Sequence, residues 1–146
     1  MEISGQVMVN RPASLVFDFF ADMTRLPEYA PEDFVSVARE TPDPIGVSSR
    51  FSYVAKWARA SSSFEWETFE RPTRLVWSGP RVNMGPGWLE MRGEYLFETA
   101  AGGTRVQARF TPRLGGLIRC LAPMVKIRNT LVLSRQLKRV RDLIER

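Results

Sequence analysis

The chain of 146 residues contains no histidine and a single cysteine, Cys120. The lack of histidine excludes Ser-His-Asp triads, Cys-His nucleophile pairs and most zinc sites, so any proton transfer must use Asp, Glu, Tyr, Lys or water. One cysteine cannot form an internal disulfide, which fits a reducing compartment. We interpret Cys120 as a small buried hydrophobic residue rather than a nucleophile.

Long apolar runs are also missing. No stretch approaches the roughly 18 uninterrupted apolar residues that span a bilayer, and residues 1–6 lack the basic-then-apolar pattern of a signal peptide. The sequence therefore predicts a cytoplasmic protein. Its length predicts a single domain over residues 1–146, because domains commonly have about 100–150 residues.

Acidic residues are absent from one long segment, Gly103 to Arg141, which holds ten basic residues. Residues 1–102 carry fourteen acids against ten bases. This basic end could attract an anionic lipid, a nucleic acid or an acidic partner. We interpret it first as a solvated helix face, and we do not expect nucleic-acid binding.

Hydrophobic periodicity predicts one strand, two short helices, six further strands and a long helix. The first strand covers Glu2–Val9, and Asn10 and Pro12 are predicted to begin the first helix, with Asn10 as its cap. Asp22 and Thr24 are predicted to cap the second. The six strands are predicted at 34–41, 47–57, 61–69, 73–78, 88–99 and 104–111. The loops between the predicted strands are short, as at the hairpin pair Gly102–Gly103, and short loops favour an antiparallel meander.

Alternation along these strands predicts one aromatic face. Phe64, Trp66 and Thr68 should point inward while Glu65 and Glu67 point to water. The other predicted inward residues are Phe51, Tyr53, Ala55, Trp57, Leu75, Trp77, Leu89, Met91, Gly93, Tyr95, Phe97, Val106, Ala108 and Phe110. Rings packed against one helix can form a solid core or line a cavity, and the pattern alone favours the solid core.

The tail from about Gly115 to Arg146 is predicted to be helical, with Pro123 as a kink or as the first turn of the main helix. One broad apolar face runs along it: Ile118, Leu121, Val125, Val132, Leu133, Val140, Leu143 and Ile144. Asn129 and Gln136 lie on that face, so their amides need partners, which can be backbone carbonyls, water or a ligand in a cavity. Met124, Ile127 and Leu131 lie on another side, where they could line a cavity mouth, form a dimer contact or belong to the core.

No catalytic motif is present. Gly85-Pro86-Gly87 is not a phosphate loop, because no lysine followed by serine or threonine stands at the required spacing. Glu65 and Glu67 fit an outward strand face rather than a catalytic pair. We therefore predict no catalytic residue, no metal site and no cofactor.

Several segments together resemble the SRPBCC superfamily, which includes START-like lipid carriers and polyketide cyclases and dehydrases. They are Arg11-Pro12-Ala13 leading into Val16-Phe17-Asp18-Phe19, Pro44-Ile45-Gly46-Val47, Glu70-Arg71-Pro72-Thr73-Arg74-Leu75, Gly102-Gly103-Thr104-Arg105-Val106 and the closing amphipathic helix. The resemblance covers nearly the whole chain. It implies an α+β helix-grip fold, in which a curved seven-stranded antiparallel sheet wraps around the long C-terminal helix and encloses a hydrophobic tunnel.

The leading hypothesis is that the protein binds or transports a small hydrophobic ligand, such as a lipid, an isoprenoid or an aromatic polyketide-like compound. The predicted ligand-binding residues are Tyr53, Trp57, Trp66, Trp77, Met91, Tyr95, Phe110, Met124, Arg128, Asn129 and Gln136. The first alternative is a cyclase or dehydratase assisted by Tyr53, Tyr95 or Arg128. The second is an interaction module that docks on an anionic surface through Arg135, Lys138 and Arg139, and a homodimer is also left open.

Overall fold

The computed structural model describes residues 1–56 and 61–146. Its ten strands are β1 (Ile3–Val9), β2 (Phe34–Arg39), β3 (Arg50–Ala55), β4 (Ser61–Glu70), β5 (Arg74–Ser78), β6 (Val82–Asn83), β7 (Gly87–Glu90), β8 (Arg92–Ala100), β9 (Gly103–Phe110) and β10 (Arg113–Gly116). Its α-helices are α1 (Ala13–Ala21), α2 (Leu26–Tyr29) and α3 (Ala122–Ile144), and 3₁₀ turns at Met23–Arg25 and Leu117–Leu121 precede α2 and α3.

The main sheet has seven antiparallel strands in the order β1-β9-β8-β5-β4-β3-β2. It curls around α3, and α1 and α2 follow the first strand as predicted. The helix-grip fold is therefore confirmed. Gly103 allows β1 to lie against β9, because a Cβ there would stand 2.2 Å from the carbonyl oxygen of Val9.

A second, three-stranded sheet in the order β10-β7-β6 was not predicted. The single strand expected at 88–99 is wrong, because the chain divides at Met91 into β7 in the small sheet and β8 in the main one. Part of the segment expected to be a loop, Gly79 to Gly87, forms β6. The small sheet packs against the 3₁₀ turn that precedes α3.

The alternation in β4 is interrupted by a register shift between Trp66 and Thr68. Thr68 pairs with Val76 and Phe69 pairs with Leu75, so Thr68 lies on the convex side. The prediction that Thr68 points inward is wrong. Phe69 takes that role instead, with its ring 5.0 Å from the ring of Phe17. A bulge adds one residue to a strand and so exchanges the faces beyond it.

The two short helices begin differently from one another. The residue that precedes α1 is Pro12, and no side chain caps this helix. The predicted cap at Asn10 is therefore wrong. The predicted cap at Asp22 is confirmed for the 3₁₀ turn that leads into α2, since its carboxylate accepts hydrogen bonds from the backbone nitrogen and the hydroxyl of Thr24 at 3.1 and 2.6 Å. The helix α2 itself has no side-chain cap.

The long helix α3 has 23 residues and carries Pro123 in its first turn. The helix starts later than predicted, because Gly115 and Gly116 belong to β10 and the 3₁₀ turn intervenes. Cys120 lies in that turn and is exposed, so its interpretation as a buried residue is wrong. Among the described residues, no helix is both long and apolar enough to cross a membrane.

The C-terminal half of α3 packs closely against the main sheet. Leu133, Leu137 and Val140 are at most 3% exposed. Gly5 on β1 leaves room for them, since a Cβ there would stand 3.2 Å from the Leu137 side chain. This close approach fixes α3 on the sheet at one end, and the other end of the helix extends over a cavity.

Candidate functional site

An internal cavity of about 310 Å³ lies between the concave face of the main sheet and the N-terminal half of α3. Four parts of the chain enclose it: the sheet, α3, the segment of short helices, and the small sheet with the turn before α3. Its wall is mostly apolar, as in typical small-molecule pockets, and its volume lies at the lower end of the roughly 300–1,000 Å³ common for such sites. The aromatic rings do not fill the interior, so the pattern-based preference for a solid core is wrong.

Six aromatic side chains of the main sheet form the floor: Tyr53, Phe64, Trp66, Trp77, Tyr95 and Phe110. They hold one another in place through ring contacts. Tyr53 stacks on Phe64 at 4.4 Å between ring centroids, and Phe64 meets Trp77 edge-on at 4.7 Å. Such contacts add to the effect of burial and fix the rings in defined positions. The floor is therefore a preformed aromatic surface.

Trp77 owes its position to the residue opposite it in the sheet, Gly93. A Cβ at Gly93 would lie 2.3 Å from the indole ring, a distance that no side chain can adopt without displacing it. Trp66 is fixed differently, because its indole nitrogen donates a hydrogen bond of 3.1 Å to the carbonyl oxygen of Ala21. Both tryptophans are thus held by the fold itself.

The tyrosines of the floor are neutral hydroxyl groups. Burial raises the pKa of Tyr53, against a smaller opposite effect from its hydrogen bond with Ser62. Burial also raises the pKa of Tyr95 strongly, against a smaller effect of its hydrogen bond with Trp77. Such groups can donate or accept hydrogen bonds, but they are not bases at neutral pH.

One corner of the cavity is polar. Asp33, at the end of the segment that leads into β2, accepts hydrogen bonds from Arg128 at 3.0 Å and from Gln136 at 3.0 Å, one on each carboxylate oxygen. Arg128 also donates to the side-chain oxygen of Asn129 at 2.9 Å. The Asp33 side chain is 18% exposed. All four residues line the cavity, so a charged pair and two amides are concentrated beneath α3.

The structure brings nine of the eleven predicted site residues to the cavity wall: Tyr53, Trp66, Trp77, Met91, Tyr95, Phe110, Arg128, Asn129 and Gln136. Met124 does not line the cavity and is 69% exposed, since it lies on the outer side of α3. Its prediction as a residue of the cavity wall is wrong. Trp57 lies outside the described residues. That the nine residues bind a ligand stays a prediction.

Several residues of the cavity wall were not predicted from the sequence. Asp33 is the most informative of them. The amide of Gln136 on the buried face of α3 indicated that a polar partner must be present, but not which residue it is. The partner is a carboxylate about a hundred residues earlier in the chain, rather than a backbone carbonyl or water. Further lining residues outside the predicted set include Phe20, Met23, Leu26 and Tyr29 from the segment of short helices, and Met84 and Leu114 from the region of the small sheet.

No group of three or more acidic or cysteine side chains with the arrangement of a metal site occurs in the described ranges 1–56 and 61–146. The chemistry that the wall offers consists of aromatic faces, tyrosine hydroxyls and the corner at Asp33. These groups can enclose, orient and hydrogen-bond a molecule.

Comparisons with known proteins agree with this architecture. A family model described as polyketide cyclase / dehydrase and lipid transport matches residues 1–145. A search of curated proteins finds no match. Among solved structures, the fold is similar to TTHA0849 of Thermus thermophilus, with 19% identity, 99% of this chain and 97% of that chain covered, and a TM-score of 0.75.

Two further structures are similar at the same low level of identity. A hypothetical protein of Helicobacter pylori, jhp0584, has 18% identity, coverage of 98% of this chain and 87% of that one, and a TM-score of 0.79. The di-domain ARO/CYC BexL from the BE-7585A biosynthetic pathway has 18% identity and a TM-score of 0.69, and this chain matches 50% of its length while being covered completely. These similarities establish the fold.

Proposed function

This chain belongs to the polyketide cyclase/dehydrase and lipid transport family, and we propose that it binds a small, mainly apolar ligand with one polar end inside its cavity. The family match supports a role in ligand binding or in cyclase-type chemistry. The observation that carries the proposal is the unfilled cavity of about 310 Å³ beneath α3. An apolar guest would gain free energy there by leaving water, at roughly 25 cal/mol for each Å² of apolar surface buried.

The shape of the floor supports a flat or ring-containing guest. The rings of Trp77, Phe110 and Tyr95 face the same space. The centroid of the Phe110 ring lies 5.6 Å from that of Trp77 and 5.8 Å from that of Tyr95. Aromatic and isoprenoid molecules pack well against such surfaces through offset and edge-on contacts. A saturated chain would also fit by burial alone, and relative affinities for the two kinds of molecule will distinguish them.

The polar corner supports a neutral polar group on the guest. Asp33 and Arg128 already compensate each other's charge, and a second ion placed there would disturb that pair. A hydroxyl or carbonyl group can bond to the amides of Asn129 and Gln136 without this cost. We therefore place the polar end of the ligand beneath α3 and its apolar body on the aromatic floor.

A cyclase or dehydratase activity is the second candidate, and the contact between Arg128 and Asp33 at the cavity wall favours it over purely apolar binding. A carboxylate and a guanidinium beside a bound chain could orient a carbonyl group and assist proton transfer. Tyr53 and Tyr95 would serve as hydrogen-bond donors, because tyrosine hydroxyls are neutral at physiological pH and burial raises the pKa of both still further. Cyclisation of a linear polyketide mimic that Arg128→Gln abolishes, while binding persists, would establish this candidate.

The binding proposal can be tested with a variant whose larger side chain fills the cavity. Val132 lies on its wall and is 7% exposed, so Val132→Phe should place a ring in the space of the guest. We expect at least a ten-fold loss of affinity for an uncharged fluorescent apolar probe such as N-phenyl-1-naphthylamine, which is about 1.4 kcal/mol. Native mass spectrometry of the wild-type protein, purified without detergent, should show a bound small molecule that Val132→Phe lacks.

Val35→Phe is the matched control, since Val35 is 61% exposed and outside the cavity wall. It should bind the probe as the wild type does. Val125→Phe, at a half-buried position of the same wall, replaces Val132→Phe if the latter lowers the melting temperature strongly. Equal affinity in the wild type and in a folded cavity-filling variant would refute the proposal.

A further inference from the structure

Five large apolar side chains lie exposed along the turn before α3 and the first half of that helix. Leu117 is 76% exposed, Met124 69%, Ile127 65%, Leu131 57% and Leu121 45%. We call these five residues the apolar stripe. Single exposed hydrophobic residues are common on proteins, whereas a contiguous set marks a surface that is covered by something.

The stripe lies on a different side of α3 from the residues that face the cavity. At about 100° per residue, Met124, Ile127 and Leu131 fall within an arc of about 60° on α3. The centre of that arc lies about 140° from the side that faces the cavity. Leu121 stands between the two sides, because it belongs both to the stripe and to the cavity wall. The stripe therefore faces outward and adjoins the cavity at its edge.

The segment from Gly103 to Arg141 has ten basic residues and no acidic one, and six of the ten form ion pairs with acidic residues outside the segment. The other four are exposed on the turn before α3 or on α3 and form no ion pair with any residue the structure describes: Arg119, Lys126, Arg135 and Lys138. Arg135 is exposed one turn beyond Leu131. Apolar and basic side chains thus share one helix, a combination typical of helices that lie in a membrane interface.

We propose that the apolar stripe docks on the surface of an anionic lipid bilayer. A second copy of this chain is the less suitable partner, because pairing the stripe with itself would bring two basic helices together at a cost in like-charge repulsion. A bilayer with anionic headgroups accepts both features: the apolar side chains enter the headgroup boundary and the basic ones meet lipid phosphates. Docking this way places the edge of the cavity at Leu121 and Arg128 against the membrane.

The experiment is sedimentation with vesicles of equal parts phosphatidylcholine and phosphatidylglycerol. We expect the wild-type protein to bind, with binding weakened in high salt and in pure phosphatidylcholine. The triple variant Met124→Ser, Ile127→Ser, Leu131→Ser should lose binding, because the apolar contribution is removed at exposed positions that the core does not need. Arg135→Glu and Lys138→Glu should each weaken binding by at least about five-fold, because both residues lie on the side of α3 that carries the stripe and would face the anionic surface.

The matched control removes three other exposed apolar residues that lie away from the stripe, in the variant Leu15→Ser, Val35→Ser, Val47→Ser, where exposure is 47%, 61% and 64%. It should bind vesicles as the wild type does. Equal binding by the stripe variant, no binding by the wild type, or a wild-type dimer in ultracentrifugation that only the stripe variant dissolves would overturn the proposal. The assay needs no ligand, so its failure would leave the binding function of the cavity intact.

Discussion

The two halves of α3 contain similar hydrophobic residues but use them in opposite ways. In the C-terminal half, Leu137 is 3% exposed and Val140 is fully buried against the sheet. In the N-terminal half, Met124 and Ile127 are 69% and 65% exposed, and the inward side faces a cavity instead of a core. One continuous helix therefore joins a region that stabilises the fold to a region that is available for binding.

The difference arises from what lies beneath each half. The C-terminal half rests on β1, where Gly5 permits close contact with Leu133 and Leu137. The N-terminal half extends past that contact and is supported by the turn before α3 and by the small sheet. Aromatic rings on the sheet stand opposite it, and their fixed positions leave space between floor and roof. Helix packing is thus strong where a glycine lets backbones approach and weak where large rings hold them apart.

The largest expected difference between the two halves of α3 is in the cost of truncating a leucine side chain. We expect Leu137→Ala to lower the free energy of unfolding by about 2–5 kcal/mol, because a buried leucine leaves a cavity when it is removed. Leu131→Ala, the same change on the outer side of the same helix, should change it by less than about 0.5 kcal/mol. Urea unfolding followed by circular dichroism measures both. A similar cost in the two variants would mean that the halves are packed alike.

The second-largest effect is expected from a substitution in the aromatic floor beneath the N-terminal half of α3. Gly93→Ala places a methyl group against the Trp77 ring, so we expect a loss of about 1–3 kcal/mol and an altered near-ultraviolet spectrum of the displaced indole. Gly46→Ala is the control, because a Cβ at Gly46 meets nothing within 4 Å. An unchanged spectrum and stability in Gly93→Ala would show that the aromatic floor adapts freely, contrary to the preformed surface described above.

The smallest expected effect concerns the ion pair of Glu32 with Arg139, beside the pair of Asp33 with Arg128. Burial raises the pKa of Glu32, but hydrogen bonds from its own backbone and from Arg139, with attraction from Arg139 and Arg135, leave it below the ordinary 4.5. A lowered folded-state pKa stabilises the protein above pH 4.5, and that contribution disappears as the pH falls through the folded-state value.

We therefore expect Glu32→Gln to cost about 1 kcal/mol at neutral pH and to reduce the loss of stability on acidification. Thermal melts at neutral and at acidic pH measure the difference. Glu40→Gln, at an exposed carboxylate of the surface, is the control and should change little. If Glu32→Gln and the wild type lose stability equally on acidification, the pair does not help to hold α3.

Sequence reasoning succeeded where a pattern is local. The order of elements, the cap at Asp22 and the inward rings of Tyr53, Trp77 and Tyr95 followed from residue types and from a period of two or 3.6. It failed where one residue changes the register. The bulge at Trp66 moved Thr68 outward and Phe69 inward, and the division at Met91 created a second sheet.

The candidate site shows the same limit. Six of the nine wall residues were identified from strand alternation, and Asn129 and Gln136 from the helical period of α3. Asp33 could not be identified in this way, because its contacts with Arg128 and Gln136 join positions about a hundred residues apart. Met124 was assigned to the cavity from a helix that is apolar nearly all round at its start. Which side of such a helix is buried depends on where the sheet lies, and periodicity contains no information about that.

By itself, the sequence determined the chemistry available to this protein: no histidine, one cysteine, a basic and acid-free segment near the C-terminus, and aromatic residues at alternating positions. It also determined the order of the main-sheet strands, the short helices and the long helix, because helical and strand periods are properties of neighbouring residues. Only the tertiary structure decided that the rings enclose space and that the apolar stripe faces outward. Those outcomes depend on how closely distant backbones approach each other, and that distance is set by packing across the whole fold.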